Sequence, residues 1–137
     1  QTVKDDRIPA DQVETVDFCE FEEYAFKLAA IDADVAIAPL TDIPFNRGKS
    51  NLRILQYWAT GYPVIASGVG PYKESITHGV DGELCLTTAE WLGALEMTYR
   101  NDAICKRMAA AGLESVKAYD VLRNSKKVEE FYSSLVR

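Results

Sequence analysis

The sequence predicts an α/β fold in which a parallel sheet lies between two layers of helices. Strand-like runs at 34–39, 63–67 and 82–86 alternate with helical segments. Such alternation builds parallel sheets with right-handed crossovers. The first two runs carry apolar residues on both faces, as strands covered on both sides do. A chain of 137 residues is long enough to form one such domain with a substantial core.

The chain before the first apolar run is polar and then helical. Residues 1–12 are broken by Pro9 and are predicted to form a connector or a frayed start. A short strand is predicted at 13–18. Apolar residues recur every three or four positions over 20–31, which predicts an amphipathic helix. The run at 34–39 is then predicted to be a central strand of the sheet.

The stretch 46–67 is predicted to form a basic loop, a helix and a buried strand. Ser50 is the predicted N-cap of this helix, because its hydroxyl can accept from a free backbone N–H group. Gly61 is the predicted C-terminal stop. The apolar residues that recur on one face of the helix are Leu52, Leu55 and Ala59.

Helices dominate the C-terminal part of the predicted fold. Thr87 and Glu90 match a capping box, which predicts the start of a helix. Two further helices are predicted, one over about 102–118 and one from about residue 120. Across these three helices, the residues predicted to face the core are Trp91, Leu92, Leu95, Tyr99, Ile104, Met108, Ala111, Val121, Val128, Phe131 and Leu135.

Composition excludes several classes of function. The net charge of −6 leaves no broad basic surface for nucleic acid. No apolar run reaches membrane-spanning length, so no transmembrane segment is expected. Cys19, Cys85 and Cys105 are too few and too dispersed for a disulfide framework or a metal site, which favours a reducing compartment. We therefore expect a cytoplasmic protein, or one peripheral to the membrane in its full-length form, without a metal or cofactor.

Arg47 and Lys49 are candidates for an anion-binding site. They precede the first turn of a predicted helix, whose free backbone N–H groups carry partial positive charge. Two cations beside a helix N-terminus favour phosphate. They also follow a strand within the irregular stretch 40–49, and ligand-contacting loops of open α/β sheets lie at that end of a strand. The alternative is an ordinary solvated basic loop.

Four blocks in this order resemble the large group-one family of retaining glycosyltransferases with the GT-B fold. They are ADVAIAP at 33–39, LQYWATGYPVIAS at 55–67, ESI at 74–76 and GVDG at 79–82. The resemblance covers residues 13–136. It implies a Rossmann-like, three-layer α/β/α domain that is the C-terminal, donor-binding half of a GT-B fold.

The resemblance also implies that part of the enzyme lies outside this chain. In the family, a second Rossmann-like domain binds the acceptor, and that N-terminal domain is missing here. The first strand–helix unit of the donor domain is missing as well. The chain begins with Gln1 rather than Met, so we expect it to be processed or excised. Residues 1–137 are then expected to form a single, truncated nucleotide-sugar-binding domain that is inactive alone.

The family's two hallmark glutamates fall here on Gly48 and Gln56. The second glutamate binds the ribose, and the Gln56 amide can still accept a hydrogen bond there. Lys49 is a candidate catalytic residue, since a cation stabilises the departing phosphate; the other catalytic residues are unknown. Thr41 and Asp42 are expected near the sugar. The expected substrate-binding residues are Asn46, Arg47, Gly48, Lys49, Ser50, Asn51, Leu52 and Gln56.

The implied function is transfer of a sugar from a nucleotide-diphospho-sugar donor to an acceptor with retention of configuration. The implied process is synthesis of cell-surface glycans or glycoconjugates. Two alternatives remain open. One is a nucleotide-sugar epimerase of the same fold, and the other is a non-catalytic α/β module that binds a nucleotide or a protein partner. The absence of both glutamates favours the second alternative.

Overall fold

The computed structural model describes residues 9–17 and 19–135. Three strands and seven α-helices are present in this part of the chain. In order they are α1 (Phe21–Ala29), β1 (Ala36–Ala38), α2 (Pro44–Arg47), α3 (Leu52–Ala59), β2 (Val64–Ser67), α4 (Pro71–Ser75), β3 (Glu83–Cys85), α5 (Thr88–Arg100), α6 (Asp102–Val116) and α7 (Val121–Leu135). Short 3-10 turns lie at Ala10–Gln12 and Lys117–Tyr119.

The three strands form one parallel sheet in the order β1-β2-β3. Ala38 is in register with Ala66, and Ala66 is in register with Leu84. All four residues of β2 are buried, as expected for a strand with neighbours on both edges. The predicted α/β class and the parallel sheet are confirmed.

Helices cover both faces of the sheet. One face packs against α3 and α4 through a cluster that includes Ile54, Trp58 and Tyr72. The opposite face packs against α5, where Ile65 and Cys85 meet Ala94. The observed fold is therefore a Rossmann-like, three-layer α/β/α arrangement.

The ends of α3 differ in how well they were predicted. Gly61 has a φ of 79° and follows the C-cap Thr60, so the predicted stop is confirmed. The N-cap is Asn51 rather than the predicted Ser50. The buried face is also different, because Ile54 and Trp58 are fully buried whereas Leu52 is 55% exposed. The two larger side chains, one helical turn apart, fill the space against the sheet.

Two strand predictions were wrong. In the strand predicted at 13–18, residues 13–17 form no strand and are exposed, since polar residues alternate with the apolar ones without a partner strand beside them. Residue 18, and residues 1–8 of the predicted connector at 1–12, lie outside the described residues. The predicted central strand, β1, lies at one edge of the three-stranded sheet, and β2 is central instead. Ile37 of β1 is accordingly 48% exposed.

The core-facing residues predicted for the last three helices are buried in some cases and exposed in others. In α6, Met108 is buried as predicted. In α5, Leu92 and Tyr99 are exposed, and the small residues Ala94 and Thr98 are buried instead because they let the helix approach its neighbours closely. In α7, the predicted core residues are all exposed, so that prediction was wrong: Val121, Val128, Phe131 and Leu135.

Candidate functional site

The predicted site lies on the loop that joins β1 to α3, at the carboxyl edge of the sheet. This loop holds all of the predicted substrate-binding residues except Leu52 and Gln56, which are on α3. It was predicted to be irregular, but it contains the one-turn helix α2, which starts at Pro44. Proline at the first position favours such a turn because its φ angle is already helical. The loop thus has a defined shape at the edge where ligands bind in open α/β sheets.

Arg47 forms a bidentate ion pair with Asp42. Its Nε and Nη2 atoms lie 2.6 and 2.9 Å from the two carboxylate oxygens. The hydrogen bond from Arg47 holds the pKa of Asp42 below its usual value, and the same bond raises the pKa of Arg47. Both side chains are more than half exposed. The guanidinium therefore binds two anionic oxygens in the bidentate manner in which it can also bind two oxygens of a phosphate.

Lys49 lies close to Arg47 on the same loop. Its Nζ atom is 5.1 Å from the centre of the Phe45 ring, which is a cation–π contact. Phe45 is itself 74% exposed. Both cations of the loop are thus held at the protein surface by contacts within the loop.

The amide side chains of the loop hold its backbone in place. Asn46 is buried, and its Nδ2 atom donates to the carbonyl of Thr41 at 2.8 Å. Asn51 donates to the hydroxyl of Ser75 at 2.7 Å, and that hydroxyl donates to the carbonyl of Pro71. Asn46 closes the loop on itself, whereas Asn51 ties the start of α3 to α4.

The start of α3 is open to solvent. Ser50 and Leu52 are exposed, and the side chain of the N-cap residue makes no capping hydrogen bond. The first backbone N–H groups of a helix have no intrahelical partner, so this end of α3 carries partial positive charge. The sequence prediction did not include Arg53, a further cation in the first turn of α3, although its position one residue inside the helix start could be read from the sequence. An interaction with Tyr57 raises the pKa of Arg53.

Gly48 does not have to be glycine for steric reasons. Its φ and ψ angles are −89° and 3°, and a Cβ atom there would lie 3.8 Å from the carbonyl oxygen of Phe45. That is an ordinary van der Waals distance. The backbone would therefore accept a larger residue at one of the two positions where the resemblance implies a glutamate.

The remaining predicted residues line two different hollows. Gln56 is half-buried and lines a hollow of about 630 Å³ beside the link from α6 to α7. Thr41 and Asp42 line a second hollow, of about 370 Å³, at the carboxyl ends of all three strands. The two hollows have no lining residue in common. The structure therefore groups the loop residues but leaves Gln56 in a separate depression.

Within residues 9–17 and 19–135, no helix is long and apolar enough to cross a membrane. The same part of the chain contains no cluster of three or more His, Cys, Asp or Glu side chains that could hold a metal ion.

Two curated proteins are similar to parts of this chain. The D-inositol 3-phosphate glycosyltransferase of a Nocardioides species is 29% identical over 99 residues, which are 71% of this chain and 22% of that protein. The phosphatidyl-myo-inositol mannosyltransferase of Mycobacterium leprae is 34% identical over 113 residues, which are 79% of this chain and 29% of that protein. No protein-family model matches the chain.

Both similar proteins are named as glycosyltransferases, and the chain is a partial homologue of them. It spans less than a third of the length of each. The similarity extends over more than two thirds of this chain.

Proposed function

We propose that this chain is the donor-binding part of a GT-B glycosyltransferase that transfers a sugar, with retention, from a nucleotide-diphospho-sugar. The observation that carries the proposal is the pair of hydrogen bonds from Arg47 to the Asp42 carboxylate, on the loop that leads to the exposed start of α3. The similarity to two glycosyltransferases supports the same conclusion. The acceptor would bind to a domain outside this chain.

The chemistry of the leaving group explains why such a site is useful. Glycosyl transfer from an activated sugar releases a nucleoside diphosphate, and negative charge grows on its phosphate as the bond breaks. Fixed cations and helix N-termini stabilise that charge without reorganising during the reaction. Arg47 would exchange its bond to Asp42 for a bond to phosphate, and Lys49 would stabilise the negative charge that develops on the leaving phosphate.

The other predicted residues have supporting roles in this proposal. The exposed backbone at Ser50 and Leu52 would donate to the diphosphate, and Asn46 would fix the loop through its bond to Thr41. Gln56 would bind the ribose, which requires the nucleotide to reach from the loop to the neighbouring hollow. Asp42, once released, would lie close to the sugar.

One specific observation favours a second candidate function. Gly48 and Gln56 offer no carboxylate at the two positions where the resemblance implies glutamates. A non-catalytic module that binds nucleoside diphosphates would need the cations of the loop but not those acids. The two functions differ in turnover rather than in binding.

We also propose a cytoplasmic location and a role in glycoconjugate synthesis. The cysteines Cys19, Cys85 and Cys105 are free thiols, which is typical of proteins in a reducing compartment. One of the similar proteins is named for mannosyl transfer to phosphatidyl-myo-inositol, and that name supports an acceptor of the glycoconjugate class.

Calorimetric titration of the intact protein with UDP and with GDP tests the proposed binding site. Arg47→Ala and Lys49→Ala should each weaken binding about three- to thirtyfold, since each removes a charge-assisted contact. Arg100→Ala is the matched control, because Arg100 is an exposed cation paired with Glu96 on α5, away from the loop. Unchanged affinity in both loop variants would rule out the site. Release of sugar from a labelled donor would then separate a transferase from a binding module.

A further inference from the structure

Gly70 has a backbone conformation that other residues rarely adopt. It lies between β2 and α4, and its φ and ψ angles are 50° and −129°. A side chain would strain the backbone there, whereas glycine adopts it freely. The conformation turns the chain sharply after β2, at the same edge of the sheet as the loop that carries Arg47.

Gly70 also packs directly against the backbone of Arg47. A Cβ atom at position 70 would lie 2.9 Å from the Cα atom of Arg47 and 3.1 Å from its carbonyl oxygen. These are backbone atoms, so they cannot turn away as the end of a side chain could. Either the turn at Gly70 or the end of α2 would have to move by several tenths of an ångström.

We propose that Gly70 is a positioning residue that sets where Arg47 presents its guanidinium to a phosphate. The inference rests on the proposed function, because it assigns a role in placing the anion-binding side chain. α2 is only one turn long and ends at Arg47, so its own hydrogen bonds hold it weakly. The close contact with the Gly70 backbone supports it from behind. A bidentate bond depends on direction as well as distance, so a small shift of this support weakens it.

Gly79 provides a matched control for the strain of a side chain at positive φ. Its φ angle is 76°, and no atom lies within 4 Å of a Cβ atom built there. Alanine at position 79 therefore also has a positive φ angle, but it makes no clash against Arg47. A loss of ligand binding that Gly70→Ala shows and Gly79→Ala does not is then not a general effect of a side chain at positive φ.

The test is calorimetric titration of the intact protein and its variants with UDP and with GDP. We expect Gly70→Ala to weaken binding about tenfold, which corresponds to a loss of about 1.4 kcal/mol of binding free energy. Gly79→Ala should bind as the unmodified protein does. In the double variant Gly70→Ala/Arg47→Ala, affinity should equal that of Arg47→Ala alone, because Gly70 acts through Arg47.

The outcomes separate this inference from the proposed function. If Arg47→Ala and Lys49→Ala both bind normally, the proposed binding site is ruled out and the inference fails with it. If only Arg47→Ala binds normally, the inference alone fails. If Arg47→Ala weakens binding but Gly70→Ala does not, or if the two losses add fully, only the role of Gly70 is refuted.

Amide hydrogen exchange of the unmodified protein covers the case in which Gly70→Ala does not fold. Saturating UDP or GDP should slow exchange at 44–49 and at 68–72 together. Protection of 44–49 alone would show that the two segments are not coupled.

Discussion

The contact between Gly112 and Trp58 makes a prediction whose sign depends on the tertiary structure. Gly112 lies within α6, and a Cβ atom there would be 2.4 Å from Cδ1 of Trp58 on α3. Trp58 is fully buried, and its Nε1 atom donates to the carbonyl of Asp81 at 2.8 Å. The indole can therefore move aside only by giving up a buried hydrogen bond or by displacing its neighbours.

Two opposing effects set the magnitude for Gly112→Ala. Replacing glycine by alanine inside a helix stabilises the folded state by about 1 kcal/mol. Overpacking a tight core destabilises it by about 1–3 kcal/mol, and a separation of 2.4 Å belongs at the upper end of that range. We expect the free energy of unfolding to fall by about 2 kcal/mol.

Gly93→Ala is the control for this experiment. Gly93 lies inside α5, and no atom is within 4 Å of a Cβ atom built there, so its substitution should stabilise by about 0.5–1 kcal/mol. Urea denaturation followed by tryptophan fluorescence measures both variants. If Gly112→Ala is as stabilising as Gly93→Ala, then α6 does not pack against Trp58 as described.

Two further predictions concern carboxylates. Glu90 accepts hydrogen bonds from the backbone N–H groups of Leu86 and Thr87, which lower its pKa below the ordinary 4.5. The stabilisation is therefore present above about pH 4.5 and is lost as the pH falls through the lowered pKa, so Glu90→Gln should be less stable than the unmodified protein at pH 7, and this difference should narrow at lower pH in urea denaturation. A gap that stays constant with pH would contradict this reasoning. Asp42→Asn should free Arg47 and strengthen UDP binding at low salt, because Asp42 competes with the ligand for the guanidinium. The gain should be only about two- to fivefold, because an exposed ion pair is weak. Weaker binding would show that Asp42 helps to bind the ligand and does not compete with it.

The local features of this chain were predictable from the sequence because nearby residues decide them. Thr87 and Glu90 form the capping box that their spacing indicates. Gly61 ends α3, and the alternation of strand-like apolar runs with helical segments correctly predicted the parallel sheet. Each depends on backbone chemistry within a few positions, or on a connection rule that any such alternation obeys. The location of the basic residues just before α3 was predictable for the same reason.

Only the tertiary structure decided which element covers each helix face and which residues lie against each charged side chain. Periodicity shows that residues share a helical face, but it does not show which element covers that face. Ile54 and Trp58 are therefore buried in α3, whereas the apolar face of α7 is exposed. The contact of Gly70 with the Arg47 backbone depends equally on how separate segments meet at one edge of the sheet. Contacts of that kind arise from packing in three dimensions, and no local pattern in the sequence encodes them.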